Sequence, residues 1–173
     1  MHNFATWLYA TAPSVFIRSQ EVWMIPTIQS VHIIAIATAV GSAFMIAMRV
    51  TGWLGADQTV LQTQRRYGPW LAGALWLLLA TGALLVLAEP PRELDAISFW
   101  LKMALVAFMA TLAFAFQRSV RRHDQQWETA VVSQASLKWA ALATFLVWAA
   151  IIFLGRFIAY DQIWGVLLPG TKA

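Results

Sequence analysis

Three ionisable side chains that could take part in chemistry lie in long apolar stretches of this chain: His32, Lys102 and Arg156. Ionisable groups are costly inside a bilayer, so each one in a spanning helix is a candidate for function. A neutral imidazole binds metals and exchanges hydrogen bonds, while an ammonium or guanidinium group attracts carboxylates, phosphates and developing negative charge. This combination predicts a binding site for a polar or redox-active ligand.

The three side chains are expected at one depth. His32 and Lys102 each lie five residues after the first residue of an apolar run, and Arg156 lies near the end of another. At about 1.5 Å per helical residue, all three fall within roughly 8 Å of the same membrane boundary. A four-helix bundle can direct such side chains into one pocket, for which Glu89 and Asp161 are the available counter-charges.

The face of the first run that carries His32 continues with small side chains at helical spacing: Ala35, Ala39 and Ala43. Small residues on one face of a membrane helix allow another group to approach closely. The pattern indicates a neighbouring helix or the flat ring of a cofactor against this face.

The elements that must position these residues are four apolar runs, at about residues 27–48, 69–88, 97–116 and 136–158. Of the 173 residues, 60% are hydrophobic and 12% are charged, and the mean hydropathy is +0.64, which excludes an ordinary soluble domain. About 20 apolar residues suffice to cross a bilayer. The sequence therefore predicts an all-α integral membrane four-helix bundle, with residues 1–173 as one domain.

Residues 1–25 differ from the four runs because they mix aromatic and aliphatic residues with Arg18 and Glu21, and Pro13 interrupts them. Two charges in the middle of a bilayer would be costly. This pattern predicts an amphipathic segment in the membrane interface, retained in the protein because it lacks the uninterrupted core of a signal peptide.

Basic residues predict the topology. They concentrate in the loops after the first and third runs, and such loops face the cytoplasm. We therefore expect a bacterial inner-membrane protein with both termini in the periplasm. The same rule explains the net charge of +4, so no nucleic-acid partner is expected. Five arginines are assigned to helix ends or topology and not to chemistry: Arg49, Arg65, Arg66, Arg121 and Arg122.

Two cofactors are compatible with His32, and a metal ion is the third alternative. It could be an axial ligand of haem b, but His2 lies in the interfacial segment and His123 lies in a loop on the other side. A quinone needs only hydrogen bonds from His32 and a nearby cation. Copper would pair His32 with methionines, which are more often packing residues. The absence of cysteine excludes disulfides, iron–sulfur clusters and covalently attached haem.

These residues predict a multi-pass membrane subunit for electron transfer or for binding a quinone or haem, together with a periplasmic partner. The alternatives are a structural or assembly subunit without a cofactor and a small copper-transport protein. An enzyme acting alone is not expected, because the sequence has no nucleophile motif, phosphate loop or carboxylate pair. The expected partners are membrane lipids and either other membrane or periplasmic subunits or further copies of the chain.

Three short motifs accompany the early histidine of the first run. They are Arg49-Val50-Thr51-Gly52, Phe99-Trp100-Leu101-Lys102 and the segment from Gly155 to Tyr160. From about Trp23 to Tyr160 the chain resembles a family of small bacterial inner-membrane proteins of unknown function. Its layout is loosely similar to CopD-type copper-resistance proteins and to four-helix b-type cytochromes. The resemblance marks His32, Arg49, Lys102 and Arg156, and it implies no activity.

Overall fold

Helices make up all the regular secondary structure that is described. The computed structural model describes residues 2–55 and 57–157. In chain order the helices are α1 (His2–Tyr9), α2 (Ala12–Ser19), α3 (Glu21–Thr51), α4 (Val60–Ala88), α5 (Pro90–Leu94), α6 (Ile97–Arg122), α7 (Asp124–Ser133) and α8 (Ala135–Phe157). The prediction of an all-α fold is confirmed.

Four helices are long and apolar enough to cross a membrane: α3, α4, α6 and α8. Even α8, with 23 residues, is about 34 Å long, which exceeds the roughly 30 Å of hydrocarbon in a bilayer. Between 11% and 28% of the residues in their most apolar stretches are buried inside the protein, so most of these side chains face outward. This arrangement confirms the membrane helical bundle. The membrane's identity and the side that the termini face stay predictions.

Helix α3 begins before the first apolar run. Its first residue is Glu21, so Pro26 lies inside the helix and does not start it. Proline lacks the N–H that would otherwise bind the carbonyl of Val22, and Val22 is highly exposed. The start differs from the expected one because the helix can continue past a proline where the freed carbonyl has access to solvent.

Helix α4 also begins before its apolar run. Thr59 and Gln62 form a capping box, in which the Gln62 N–H donates to Thr59 Oγ1 and the Thr59 N–H donates to Gln62 Oε1, at 3.1 and 2.8 Å. These bonds stabilise a helix start at Val60. Hydropathy placed the start at Pro69 because the first turns of α4 are polar.

The spans form a ring in which α3 packs against α4 and α8, and α6 packs against α8 and α4. The central core contains residues from all four spans: Ala39, Ile46, Leu71, Ala74, Met109, Trp148 and Ile151. Ala35 and Ala39 are buried, and α4 is the helix most extensively packed against α3. The small-residue face of α3 therefore serves helix packing. We call the two ends of the bundle the His32 end and the Arg49 end.

The N-terminal helices cover the His32 end. α1 and α2 have eight residues each, which is too short to span a bilayer. α1 packs against α5 and α4, and α2 packs against α4 and α3. Pro13 lies in the first turn of α2, where its missing N–H has no helical partner to lose. The segment predicted to be interfacial, residues 1–25, thus contains two short helices and the first turn of α3, and its position in the interface stays a prediction.

Candidate functional site

His32 is held by Thr81 across the interface of α3 and α4. Its Nδ1 lies 2.7 Å from Thr81 Oγ1, and the same hydroxyl donates to the carbonyl of Leu77 at 2.7 Å. A hydroxyl has one proton, and when Thr81 donates it to Leu77, the proton shared with His32 is that of Nδ1–H. In this tautomer of the neutral imidazole, Nε2 keeps its lone pair, free to bind a metal or accept a hydrogen bond.

The imidazole also lies close to the backbone of α4. A Cβ on Gly82 would lie 3.6 Å from Cε1 of His32, so the ring edge faces a position without a side chain. Thr81 and Gly82 are adjacent in α4, so the ring of His32 lies beside one turn of this helix. The hydrogen bond to Thr81 is the contact that orients the ring.

Lys102 of α6 lies in the same region as His32. Its side chain is half-buried, and its charge acts electrostatically on both His32 and Glu93. Nζ lies 5.5 Å from the centre of the Phe99 ring, and Cδ would lie 3.8 Å from a Cβ on Gly155. Lys102 thus lies beside α8 at Gly155, and its positive charge acts on groups of α3 and α5.

Glu93 is a member of this cluster that the sequence analysis missed. It belongs to α5, outside the spans, and burial raises the pKa of its carboxyl group, while the charges of Lys102 and Arg92 act in the opposite direction. Glu89, one of the two expected counter-charges, forms an exposed ion pair with Arg92 at 2.6 Å. Asp161, the other, lies outside the described residues. The signal available in the sequence was an acidic residue nine positions before Lys102 at the same membrane boundary.

Arg156 lies in the last turn of α8, and its side chain is exposed. Its neighbour Gly155 faces the stem of Lys102, so Arg156 is at the His32 end as its position in the sequence indicates. Among the residues that the structure describes, no hydrogen bond or ion pair joins it to His32 or Lys102. The structure therefore brings His32, Thr81, Lys102 and Glu93 together and leaves Arg156 at their edge.

The donor set around His32 suits one hydrogen-bonded ligand better than a metal. Within residues 2–55 and 57–157, no three His, Cys, Asp or Glu side chains are grouped to hold a metal ion. His123 caps α6 at the Arg49 end, far from His32. Met109 belongs to the central core and Met103 is exposed. Met24, on the same helix as His32, is half-buried.

Arg49 forms a second polar cluster, at the other end of α3. Its side chain is buried, and its guanidinium group binds Glu128 Oε2 at 2.6 Å and donates from Nε to the carbonyl of Gln58. Glu128 Oε1 accepts the N–H of Val60, the first residue of α4. The cluster joins the end of α3, the start of α4 and α7. The sequence analysis assigned Arg49 to a helix end and did not identify Glu128 as its partner.

The remaining basic residues near this end are on the surface. Arg65 and Arg66 in α4 and Arg121 and Arg122 in α6 are all exposed. Trp127 packs edge-on against Phe116, with ring centres 5.0 Å apart, and its Nε1 donates to Ser119 at 3.0 Å. At the Arg49 end, α7 is therefore held by packing and hydrogen bonds, whereas these four arginines face the surroundings.

Comparison with known proteins identifies one family. Residues 20–161 match the family of unknown function DUF6644, a stretch that contains α3 to α8 and all the site residues described above. No curated protein and no solved structure matches the chain. The looser similarity to CopD-type proteins and to b-type cytochromes is not supported by these comparisons.

Proposed function

The chain belongs to this family of unknown function, and we propose that it is a multi-pass membrane subunit that binds a quinone or quinol at its His32 end. The observation that carries the proposal is the hydrogen bond between His32 Nδ1 and Thr81, which leaves Nε2 as an acceptor beside Lys102. A quinol hydroxyl donates to Nε2, and the ammonium group attracts negative charge that develops on a ring oxygen.

A quinone agrees with the donor set better than haem does. A b-type haem in a helical bundle is usually held by two axial side chains on facing helices, whereas a quinone oxygen needs only one hydrogen-bond donor or acceptor. Phe99 is buried at this end and packs edge-on against Trp100, with ring centres 5.4 Å apart. These aromatic side chains provide an apolar surface near the polar group.

In this function the chain holds and orients the quinone, and a partner subunit carries the electrons. We place the protein in a bacterial inner membrane with both termini in the periplasm, because the basic loops favour that orientation. His32 and Lys102 lie near the end of the bundle, where a ligand head group can exchange protons with water. A periplasmic partner would then meet the His32 end.

The proposal is tested by binding of ubiquinone-1 to the detergent-purified protein, measured by calorimetric titration. His32→Leu removes Nε2, so we expect its affinity to fall at least tenfold. His123→Gln, at the Arg49 end, serves as the matched control and should bind as the original protein does. Equal affinity in His32→Leu would contradict the proposal.

An absorption spectrum of the same preparation, oxidised and then reduced with dithionite, separates the two cofactors. A spectrum without haem bands is expected. Sharp bands of a b-type haem in the reduced protein would show that the bound cofactor is haem and not a quinone. Absence of ubiquinone-1 binding together with absence of haem would favour a structural subunit.

A further inference from the structure

The four spans surround an apolar cavity in the half of the bundle nearer the Arg49 end. Its volume is about 220 Å³, and residues of α3, α4, α6 and α8 line it. Alanines on three of these helices leave the space: Ala47, Ala113 and Ala141. The nearest lining residue on α3, Ala43, is eleven residues from His32, which is about 16 Å along the helix. The cavity is therefore separate from the His32 site.

Gln64 and Thr144 bring polar side chains to the wall of this cavity, and the Thr144 hydroxyl donates to the carbonyl of Ala140 at 2.8 Å. Gln64 of α4 lines the cavity and is 3% exposed, and its Oε1 has no hydrogen-bond partner among the described residues. A buried acceptor without a donor is destabilising, because burial removes the water that would otherwise donate to it. The unpaired oxygen therefore indicates a group that is able to donate to it.

Gly68 explains why the amide can occupy this position. It lies one turn after Gln64, and a Cβ on it would collide with the amide of Gln64. The same Cβ would lie 3.1 Å from the amide nitrogen of Gln117, on α6. Two side-chain amides thus approach one glycine, and Gln64 is the one of the two that lines the cavity.

We infer that this cavity binds a lipid-soluble molecule made of one ring with a hydroxyl group that donates to Gln64. A molecule that fills a cavity gains dispersion contacts with its walls, and a buried acceptor gains from a hydrogen bond. A ring with one donor supplies both. A cavity of about 150 Å³ in another protein accepts benzene, so about 220 Å³ is sufficient for a substituted ring. Phe116 and Trp148 provide aromatic walls for it.

The test compares three probes of similar size in detergent micelles: 4-ethylphenol, which has a donor, and 4-ethylanisole and ethylbenzene, which have none. Binding is measured by ligand-observed NMR with the full chain. We expect 4-ethylphenol to bind at least fivefold more tightly than either of the others. Equal affinities of the three probes in the unaltered protein would overturn the inference and leave the cavity as a site for apolar chains.

Two substitutions locate the binding. Gln64→Leu should abolish the preference for 4-ethylphenol while retaining ethylbenzene. Ala113→Leu fills the cavity and should abolish binding of all three probes, whereas Ala115→Leu, exposed on the same helix, should leave it unchanged. Tight binding of 4-ethylphenol to Ala113→Leu would contradict the inference. His32→Leu should bind the probes normally, so failure of the quinone proposal and failure of this one are distinguishable.

Discussion

Arg49 and Glu128 bind each other across 79 residues of sequence, with the guanidinium NH2 2.6 Å from the carboxylate. The carboxylate also accepts the N–H of Val60, and the guanidinium group also donates to Gln58. A buried arginine is stable in the low-dielectric interior only when its donors are occupied. This pair therefore determines how α7 packs against the ends of α3 and α4.

Loss of the carboxylate should destabilise the fold. Glu128→Ala leaves the guanidinium group of Arg49 without its ion pair and the Val60 N–H without an acceptor, so we expect the free energy of unfolding to fall by about 2–4 kcal/mol. Thermal unfolding in detergent micelles measures it. Gln126→Ala, exposed on the same helix, should change it by less than about 0.5 kcal/mol. Equal unfolding midpoints for the two variants would be evidence against the role of this pair.

Thr81 should matter for ligand binding through the tautomer of His32. Thr81→Val keeps the shape and removes the acceptor of Nδ1–H, so the affinity for ubiquinone-1 should fall about tenfold, equivalent to about 1.4 kcal/mol. The ¹⁵N chemical shifts of the imidazole should show Nδ1–H in the original protein and a mixture of tautomers in the variant. Thr111→Val, exposed on α6, is the control. A single Nδ1–H tautomer in Thr81→Val would contradict the assigned role of the hydroxyl.

The raised pKa of Glu93 predicts how the free energy of unfolding depends on pH. Burial raises the pKa of its carboxyl group, so the folded protein holds this proton more tightly than the unfolded chain does. This contribution to stability is complete below the unfolded pKa and is lost as the pH rises through the folded pKa. The unfolding midpoint of Glu93→Gln minus that of the original protein should therefore increase between about pH 4 and pH 7.

The control for Glu93 is Glu89→Gln, which removes an exposed ion pair with Arg92. Such pairs contribute little to stability, so this substitution should move the unfolding midpoint only slightly at pH 7. A difference between Glu93→Gln and the original protein that decreases as the pH rises would refute the assigned direction of the pKa shift.

Two glycines in α4 should respond differently to alanine. At Gly73 a Cβ meets nothing within 4 Å, so Gly73→Ala should stabilise the helix by up to about 1 kcal/mol. Gly68→Ala displaces the amide of Gln64, so it should be less stable than Gly73→Ala by about 1 kcal/mol or more. Thermal unfolding of the two variants compares them directly. Equal stabilities would show that the Gln64 amide moves without cost.

The absence of cysteine makes topology simple to test. Single cysteines replace Ser19, at the end of α2, and Gln126, in α7, both of which are exposed. In intact bacterial cells a membrane-impermeant maleimide should label Ser19→Cys and should label Gln126→Cys only after the membrane is opened. The reverse pattern would place the termini in the cytoplasm and move the proposed partner to that side.

The spans could be predicted from the sequence because hydropathy measures the same property that places a helix in a bilayer. The starts of α3 and α4 could not. α4 begins at Val60 in polar sequence, where a capping box decides, and α3 begins at Glu21 because the helix continues through Pro26. Depth along a helix was also informative, because it placed His32 and Lys102 at one end. Depth does not specify which way a side chain faces, so it could not predict that the side chain of Arg156 is exposed.

The polar partners were beyond prediction for a different reason. Glu128 reaches Arg49 only because α7 packs against α4, α6 and α8 at this end of the bundle, and these tertiary contacts have no local signal in the sequence. Glu93 lies four residues after Glu89, and both carboxylates are close to Lys102 in the sequence. Which of them acts on Lys102 depends on how the short helix α5 packs, and the sequence does not show that. The pairing of Gln64 with Gly68 depends on a close approach between side chain and backbone that hydropathy does not register.

The early start of α4 has a consequence for the protein surface at the Arg49 end. α4 begins at Val60, nine residues before the apolar run that starts at Pro69, which corresponds to about 13 Å of helix. Because that run of about 20 residues is already long enough to cross the hydrocarbon, the first turns of α4 extend beyond it. α7 packs against α4, so the Arg49 end carries a helical layer in the head-group region in place of a simple loop.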